Sequence, residues 1–189
     1  MAHCVWLDEG ERALLRDSGA NVTHCPSTNL KLASGLAPIP EYLEAGVNVA
    51  LGADGAPANN NLDVFNEMRL AGLIHKPRRG PAAMPAETVL EMATMGGARA
   101  LGLAEEIGSL EFGKRADLVT IRTDRLHQPP GLTSDASRIV FSAKASDVDT
   151  VVVDGRIVVE DGRLQTGDEV AIRRDAEAHA RLLVSRVGR

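Results

Sequence analysis

Three times in the first 80 residues, a short apolar run ends in glycine or polar residues and gives way to a stretch with helical spacing. This alternation is the signature of βα units, in which a buried strand feeds the helix that covers it. The clearest run is Val47-Asn48-Val49-Ala50-Leu51, rich in β-branched residues and bounded by Gly46 and Gly52, which predicts a buried parallel strand. It delivers Asp54 into the loop Gly52-Ala53-Asp54-Gly55-Ala56-Pro57-Ala58-Asn59-Asn60. A helix from about Asn60 to His75 follows, with Leu62, Phe65, Met68 and Gly72 on its apolar stripe and Asp63 and Glu67 on its far face. The unit before it has a strand at Asn21–His24, a loop from Cys25 to Ala37, and a helix opened by Pro38 and Pro40 and closed by Gly46. In the first unit Met1–Cys4 is the end of a strand, and Asp8 caps a helix that stops at Ser18-Gly19.

After the Pro/Gly/Arg-rich break at 77–81 the pattern predicts two short helices, Ala86–Met95 and Ala98–Leu101, the second ended by Gly102. From Gly108 the period changes. Ala116–Ile121, Thr150–Val153 and Arg156–Glu160 read as strands, and Asp154-Gly155 and Asp161-Gly162 are turns of the hairpin type. From Asp168 a charged helix carries Ile172, Ala176, His179 and Leu183 on one stripe and is expected to pack on the surface. The expected organisation is a βα part over 1–106, a β part over 107–167 and a terminal helix over 168–189.

A chain of 189 residues, 44% hydrophobic and 25% charged, is long enough for a genuine core. A net charge of −5 with no dense Lys/Arg cluster argues against a nucleic-acid partner, Arg78-Arg79 being too short to neutralise a phosphate backbone. No apolar segment reaches the ~18 residues needed to span a bilayer, and the first residues lack a basic flank followed by an apolar core, so no membrane partner and a cytoplasmic location are expected. Cys4 and Cys25 form no disulfide framework and are expected to be buried apolar fillers.

His3, His24 and Asp54 each end a strand-like segment, so parallel neighbouring strands would place all three on one carboxyl-terminal rim, where barrel enzymes work. Imidazole and carboxylate suit a hydrolytic metal centre with an open position for water. Bland readings stand beside this one. Asp54 could cap the following helix, and either histidine could be a satisfied core residue or order a loop. A closed zinc site from His3-Cys4 and His24-Cys25 has the right ligand types, but adjacent residues on a strand point to opposite faces.

Further motifs carry a resemblance. His3-Cys4-Val5-Trp6-Leu7, then Val22-Thr23-His24-Cys25-Pro26-Ser27-Thr28-Asn29-Leu30-Lys31-Leu32-Ala33-Ser34-Gly35, then Gly52-Ala53-Asp54-Gly55 with Asn59-Asn60, resemble the amidohydrolase superfamily. The similarity is to the branch of methylthioadenosine/S-adenosylhomocysteine deaminases, guanine deaminases and triazine-ring chlorohydrolases. It continues through Gly97-Ala98-Arg99-Ala100-Leu101-Gly102 and Ile107–Val119 and covers most of residues 2–162. It implies an α/β fold, the carboxyl-terminal portion of a (β/α)8 TIM-like barrel with about its last three βα units, plus part of a small β-sandwich.

By that resemblance Asp54 is a catalytic residue that binds a divalent metal, zinc or alternatively iron, and takes a proton from the attacking water. His3 is the second catalytic residue, near that water or the developing charge. Ser27 and Asn29, with Lys31, would line or order the mouth and bind substrate. The remaining metal ligands are absent: no two of the five histidines stand two apart, as the family's His-x-His pair requires. Ala53 and Ala58 replace residues that often carry hydroxyls.

The implied parent activity is hydrolytic deamination of an aminated purine or related nitrogen heterocycle, a small-molecule partner. The alternatives are a triazine-type chlorohydrolase or aminohydrolase, and a non-catalytic fragment or subunit that needs a partner chain. Three of eight strands cannot close a barrel, so the isolated chain is expected to be inactive and to form a homo-oligomer or associate through its exposed barrel edge.

Overall fold

The structure is a computed structural model that describes residues 1–128, 131 and 133–187. Ala2 bridges in parallel to Thr23, and β1 (Val22–His24) pairs in parallel with β2 (Val49–Leu51), in the register Val22↔Val49 and His24↔Leu51. Three chain segments therefore run side by side in sequence order, with their carboxyl ends on one rim. Helix α1 (Glu9–Asp17) covers the first crossover and starts as the sequence indicates: Asp8 and Glu11 form a reciprocal capping box.

The expected loop at 25–37 is in part a helix, α2 (Pro26–Lys31). Proline at its first position fixes φ where no N–H partner is available, and the segment folds onto the rim with Pro26, Thr28 and Asn29 buried. Helix α3 (Ile39–Glu44) buries Ile39 and Tyr42, whose hydroxyl donates to the Cys4 carbonyl.

After β2 the chain makes a short turn of helix, α4 (Ala56–Asn59), and α5 (Val64–Leu73) begins only after it. The expected helix start near Asn60 fails because Asn60 (φ 69°) and Leu62 (φ 43°) are left-handed; Asp63 instead caps α5 at the Phe65 and Asn66 N–H groups. Glu67, expected on the solvent face, is fully buried. The break at 77–81 is occupied by one turn, α6 (Lys76–Arg79). Helix α7 (Ala86–Ala93) ends two residues earlier than expected, and α8 (Met95–Leu101) starts three earlier, because the chain bends at Thr94 to lay Gly96 on the Val49 carbonyl. Helix α9 (Asp135–Phe141), capped by Ser134, has no counterpart in the sequence reading. It sets Val140 and Phe141 against Gly72 of α5.

Four strands form one antiparallel sheet in the order β3 (Leu118–Ile121), β4 (Val148–Val153), β5 (Arg156–Glu160), β6 (Arg163–Leu164). Both Asp-Gly pairs turn with φ above zero at both residues, as the hairpin reading requires. Where part of a β-sandwich is expected, the described residues form this one four-stranded sheet. Helix α10 (Glu169–Val187) has no buried residue: Ile172 and Leu183, on the stripe expected to pack, are 54% and 61% exposed. Its apolar side chains lie on several faces, so no single face gains by docking. No helix among the described residues is long and apolar enough to cross a membrane.

Candidate active site

His3 and Asp54 occupy the rim with backbones in the left-handed region, at φ 67° and 63°. Each such residue costs on the order of 1–3 kcal/mol and persists only where its surroundings over-determine it. The Gly55 N–H donates to Asp54 Oδ1 at 2.6 Å, which leaves Oδ2 facing His3 Nε2 across 3.7 Å. That gap is too wide for a hydrogen bond, and both side chains reach solvent. Asp54 caps no helix; Gly55 stands at the start of α4 without a side-chain cap.

The other ring nitrogen of His3, Nδ1, lies 2.9 Å from Asn29 Oδ1. An amide oxygen only accepts, so in this orientation Nδ1 donates to Asn29 and Nε2 is the nitrogen presented to Asp54. Lys31 Nζ donates to the Pro57 carbonyl at 3.0 Å and to Asn60 Oδ1, tying the loop after β1 to the loop after β2. The Ser27 hydroxyl turns away from this pair and accepts from Asn66 Nδ2 at 3.1 Å. The structure thus brings His3, Asn29 and Asp54 together and places Ser27 against α5.

His24 does not join them. It shares the face of Val22, is 1% exposed, and stacks obliquely near His75 at 6.3 Å between ring centroids. Burial, and then the proximity of His75 and His3, pushes its pKa down to about 3, so it is neutral at ordinary pH. The unfolded chain takes up this proton near pH 6.5 and the fold resists it until about pH 3. The His24 contribution to stability is therefore fully present above pH 6.5 and is lost progressively as pH falls from 6.5 toward 3. Urea midpoints of this chain between pH 7 and 4.5 should show that loss, and His24→Leu should reduce it; equal losses would refute the assignment.

The closed zinc site from two histidines and two cysteines is not assembled. Cys25 sits on the opposite face from His24, and its thiol is pushed up to about 11 by burial and then by Asp54 and Glu67. Burial also raises the Cys4 thiol. Both cysteines are buried and free. No cluster of three or more His, Cys, Asp or Glu among the described residues could hold an ion alone. The donor chemistry nevertheless fits one share of a divalent cation's shell, since Asp54 Oδ2 is an accessible carboxylate oxygen without a hydrogen-bond partner among the described residues.

Two residues to which the sequence assigns no site role, Glu67 and Asn59, stand behind the pair. Glu67 Oε1 accepts from Asn59 Nδ2 at 2.8 Å, and Oε2 accepts from the Ser27 N–H at 3.0 Å. The signal for Glu67 was its i, i+4 spacing to Ala71 beside the Met68–Gly72 stripe, which puts it on the covered face.

Residues 1–158 match the model of the amidohydrolase family, and the chain belongs to that family. It is 49% identical over 173 residues to a 5-methylthioadenosine/S-adenosylhomocysteine deaminase of Acetivibrio thermocellus, covering 91% of this chain and 40% of that protein. It is 47% identical to a 5'-deoxyadenosine deaminase of Methanosarcina mazei, covering 98% of this chain and 43% of that protein. Among solved structures it is similar to a zinc-bound adenosine deaminase from Xanthomonas campestris, with TM-score 0.93, 37% identity, and 97% and 42% of the two chains covered. It is also similar to a zinc-complexed atrazine chlorohydrolase from Arthrobacter aurescens, with TM-score 0.84, 33% identity, and 94% and 39% covered. The chain spans about two fifths of the length of the curated relatives it matches.

Proposed function

We propose that this amidohydrolase-family chain supplies the Asp54 and His3 side of the active site of a metal-dependent hydrolase, one that deaminates an adenosine-type purine. The observation that carries the reading is the His3–Asp54 pair, held face to face at the ends of the two parallel segments that flank β1 by Asn29 and Gly55. The named relatives deaminate such purines, which supports that substrate class. Asp54 Oδ2 would hold the divalent ion, zinc by analogy with the bound ion of two structural relatives, while further ligands come from outside this chain. When bound, the ion supplies Lewis-acid polarisation of water.

The chain's own residues do the rest. The lone pair of His3 Nε2 accepts a hydrogen bond from the attacking water and aims its oxygen at the amidine carbon. Asp54 takes the proton as the carbon–oxygen bond forms and returns it to the exocyclic nitrogen as the carbon–nitrogen bond breaks, so ammonia leaves. Asn29 keeps His3 in the competent tautomer. Ser27 contributes to the mouth through its place in α2 rather than through its hydroxyl. Two parallel strands and a bridge do not enclose a site, so the isolated chain would be inactive and would associate through its open strand edge, with a second copy or a complementary barrel portion. A cytoplasmic setting fits such a substrate.

The likeness to the chlorohydrolase supports a second reading in which the leaving group is chloride. The test joins the upstream barrel portion of the Acetivibrio relative to residues 1–189. Zinc content, ammonia release from methylthioadenosine, S-adenosylhomocysteine and guanine, and chloride release from atrazine are then measured. Ammonia from an adenosine-type substrate is expected. A folded, zinc-loaded protein that releases neither product would refute the reading and leave a non-catalytic subunit.

A further inference from the structure

We propose that Glu67 is the positioning residue of this site, its buried carboxylate fixing Asp54 through Asn59 and His3 through the Ser27–Asn29 segment. The inference rests on the roles given above to His3 and Asp54. A carboxylate with no exposed surface is retained in a fold only when its lone pairs are used. Here each oxygen has one partner, and both partners are donors: the Ser27 N–H and the Asn59 amide. A glutamine of the same shape must turn its own NH2 onto one of those donors, so charge and acceptor count matter at this position, not volume.

Each partner leads to one of the two reactive groups. Asn59 Nδ2 also donates to the Ala53 carbonyl at 2.7 Å, and Asn59 Oδ1 accepts from the Asn61 N–H at 3.0 Å. Ala53 is the residue before Asp54, whose left-handed backbone needs such restraint. On the other arm, Ser27 stands two residues before Asn29 in α2, and Asn29 Oδ1 holds His3 Nδ1. Asn66 Nδ2, bonded to Ser27 Oγ, adds a second tie between α5 and α2. One carboxylate on α5 therefore couples the loop after β1 to the loop after β2, and with them the spacing of His3 and Asp54.

The test compares Glu67→Gln and Asn59→Ala with the parent, in the joined protein and in the 189-residue chain. Glu67→Gln is expected to lower kcat by about 10- to 100-fold with KM within about twofold, and to weaken zinc binding in a chelator competition by about tenfold. It should also move the His3 imidazole 15N shifts away from the Nδ1–H tautomer. Asn59→Ala should weaken zinc binding and leave the His3 shifts in place, because it cuts one arm only.

A Glu67→Gln protein whose folded fraction keeps the parent kcat, zinc affinity and His3 shifts would overturn the proposal, whatever happens to Tm. Should Glu67→Gln fail to fold, Asn59→Ala decides, and parent-like zinc affinity there would overturn it. A joined protein that turns over no substrate yet still shows the His3 change in Glu67→Gln would sink the deaminase reading and support the coupling.

Discussion

Asp54→Asn is expected to lower deamination by the joined protein about 10³-fold and to strip most of its zinc, with little change in Tm. The substitution separates chemistry from structure. Asparagine keeps the Oδ1 acceptor that the Gly55 N–H uses at 2.6 Å, so the turn at the strand end stays closed. It replaces Oδ2, the oxygen that faces His3 Nε2, with an NH2 group that can neither ligate a cation nor take a proton. Asp54→Ala removes both functions and should cost stability as well, because the left-handed backbone loses its side-chain bond. Metal analysis, calorimetry and initial rates on the three proteins distinguish these outcomes. An Asp54→Asn protein that retained zinc and stayed within tenfold of the parent rate would remove Asp54 from the site.

Gly96→Ala should destabilise the chain by about 2 kcal/mol although it replaces glycine inside a helix with the best helix former. A Cβ on Gly96 would stand 2.4 Å from the Val49 carbonyl oxygen and 3.2 Å from that of Glu91. Both are backbone atoms, and Val49 lies in β2, so neither can move without shifting the strand that carries Asp54. Overpacking of this kind costs about 1–3 kcal/mol or more, which exceeds the ~1 kcal/mol gained in helix propensity. Gly97 is the internal control. It meets nothing within 4 Å, so Gly97→Ala should stabilise the same helix by up to about 1 kcal/mol. Urea unfolding of both variants gives the comparison, and two shifts of the same sign would refute the packing account.

The parallel arrangement of the first three strand-like segments, the capping box at Asp8 and the Asp-Gly hairpins all follow signals that lie within a few residues of the structure they specify. Helix α9 went unread because its seven residues carry too little periodicity, and its place depends on the fit of Phe141 and Val140 over Gly72. Helix α10 shows the converse: the stripe that promises burial is only part of an apolar set spread around the helix, and none of it is buried.

For the site, sequence motifs singled out His3, Asn29 and Asp54, and the fold sets them within reach of one another. They also singled out His24, which ends β1 but is buried beside His75, because side chains alternate along β1 and His24 shares the buried face of Val22.

By itself, then, the sequence determined the order of the main βα units and hairpins and the residue types available for metal and proton chemistry, since these depend on local spacing and on the chemistry of single side chains. Only the tertiary structure decided that Glu67 is inside, that its two oxygens join Ser27, forty positions away, to Asn59, and that His3 is held by Asn29, twenty-six positions away. The reason is physical: a buried hydrogen bond is specified by which donors and acceptors the packed chain brings together away from water, and no local pattern encodes that meeting.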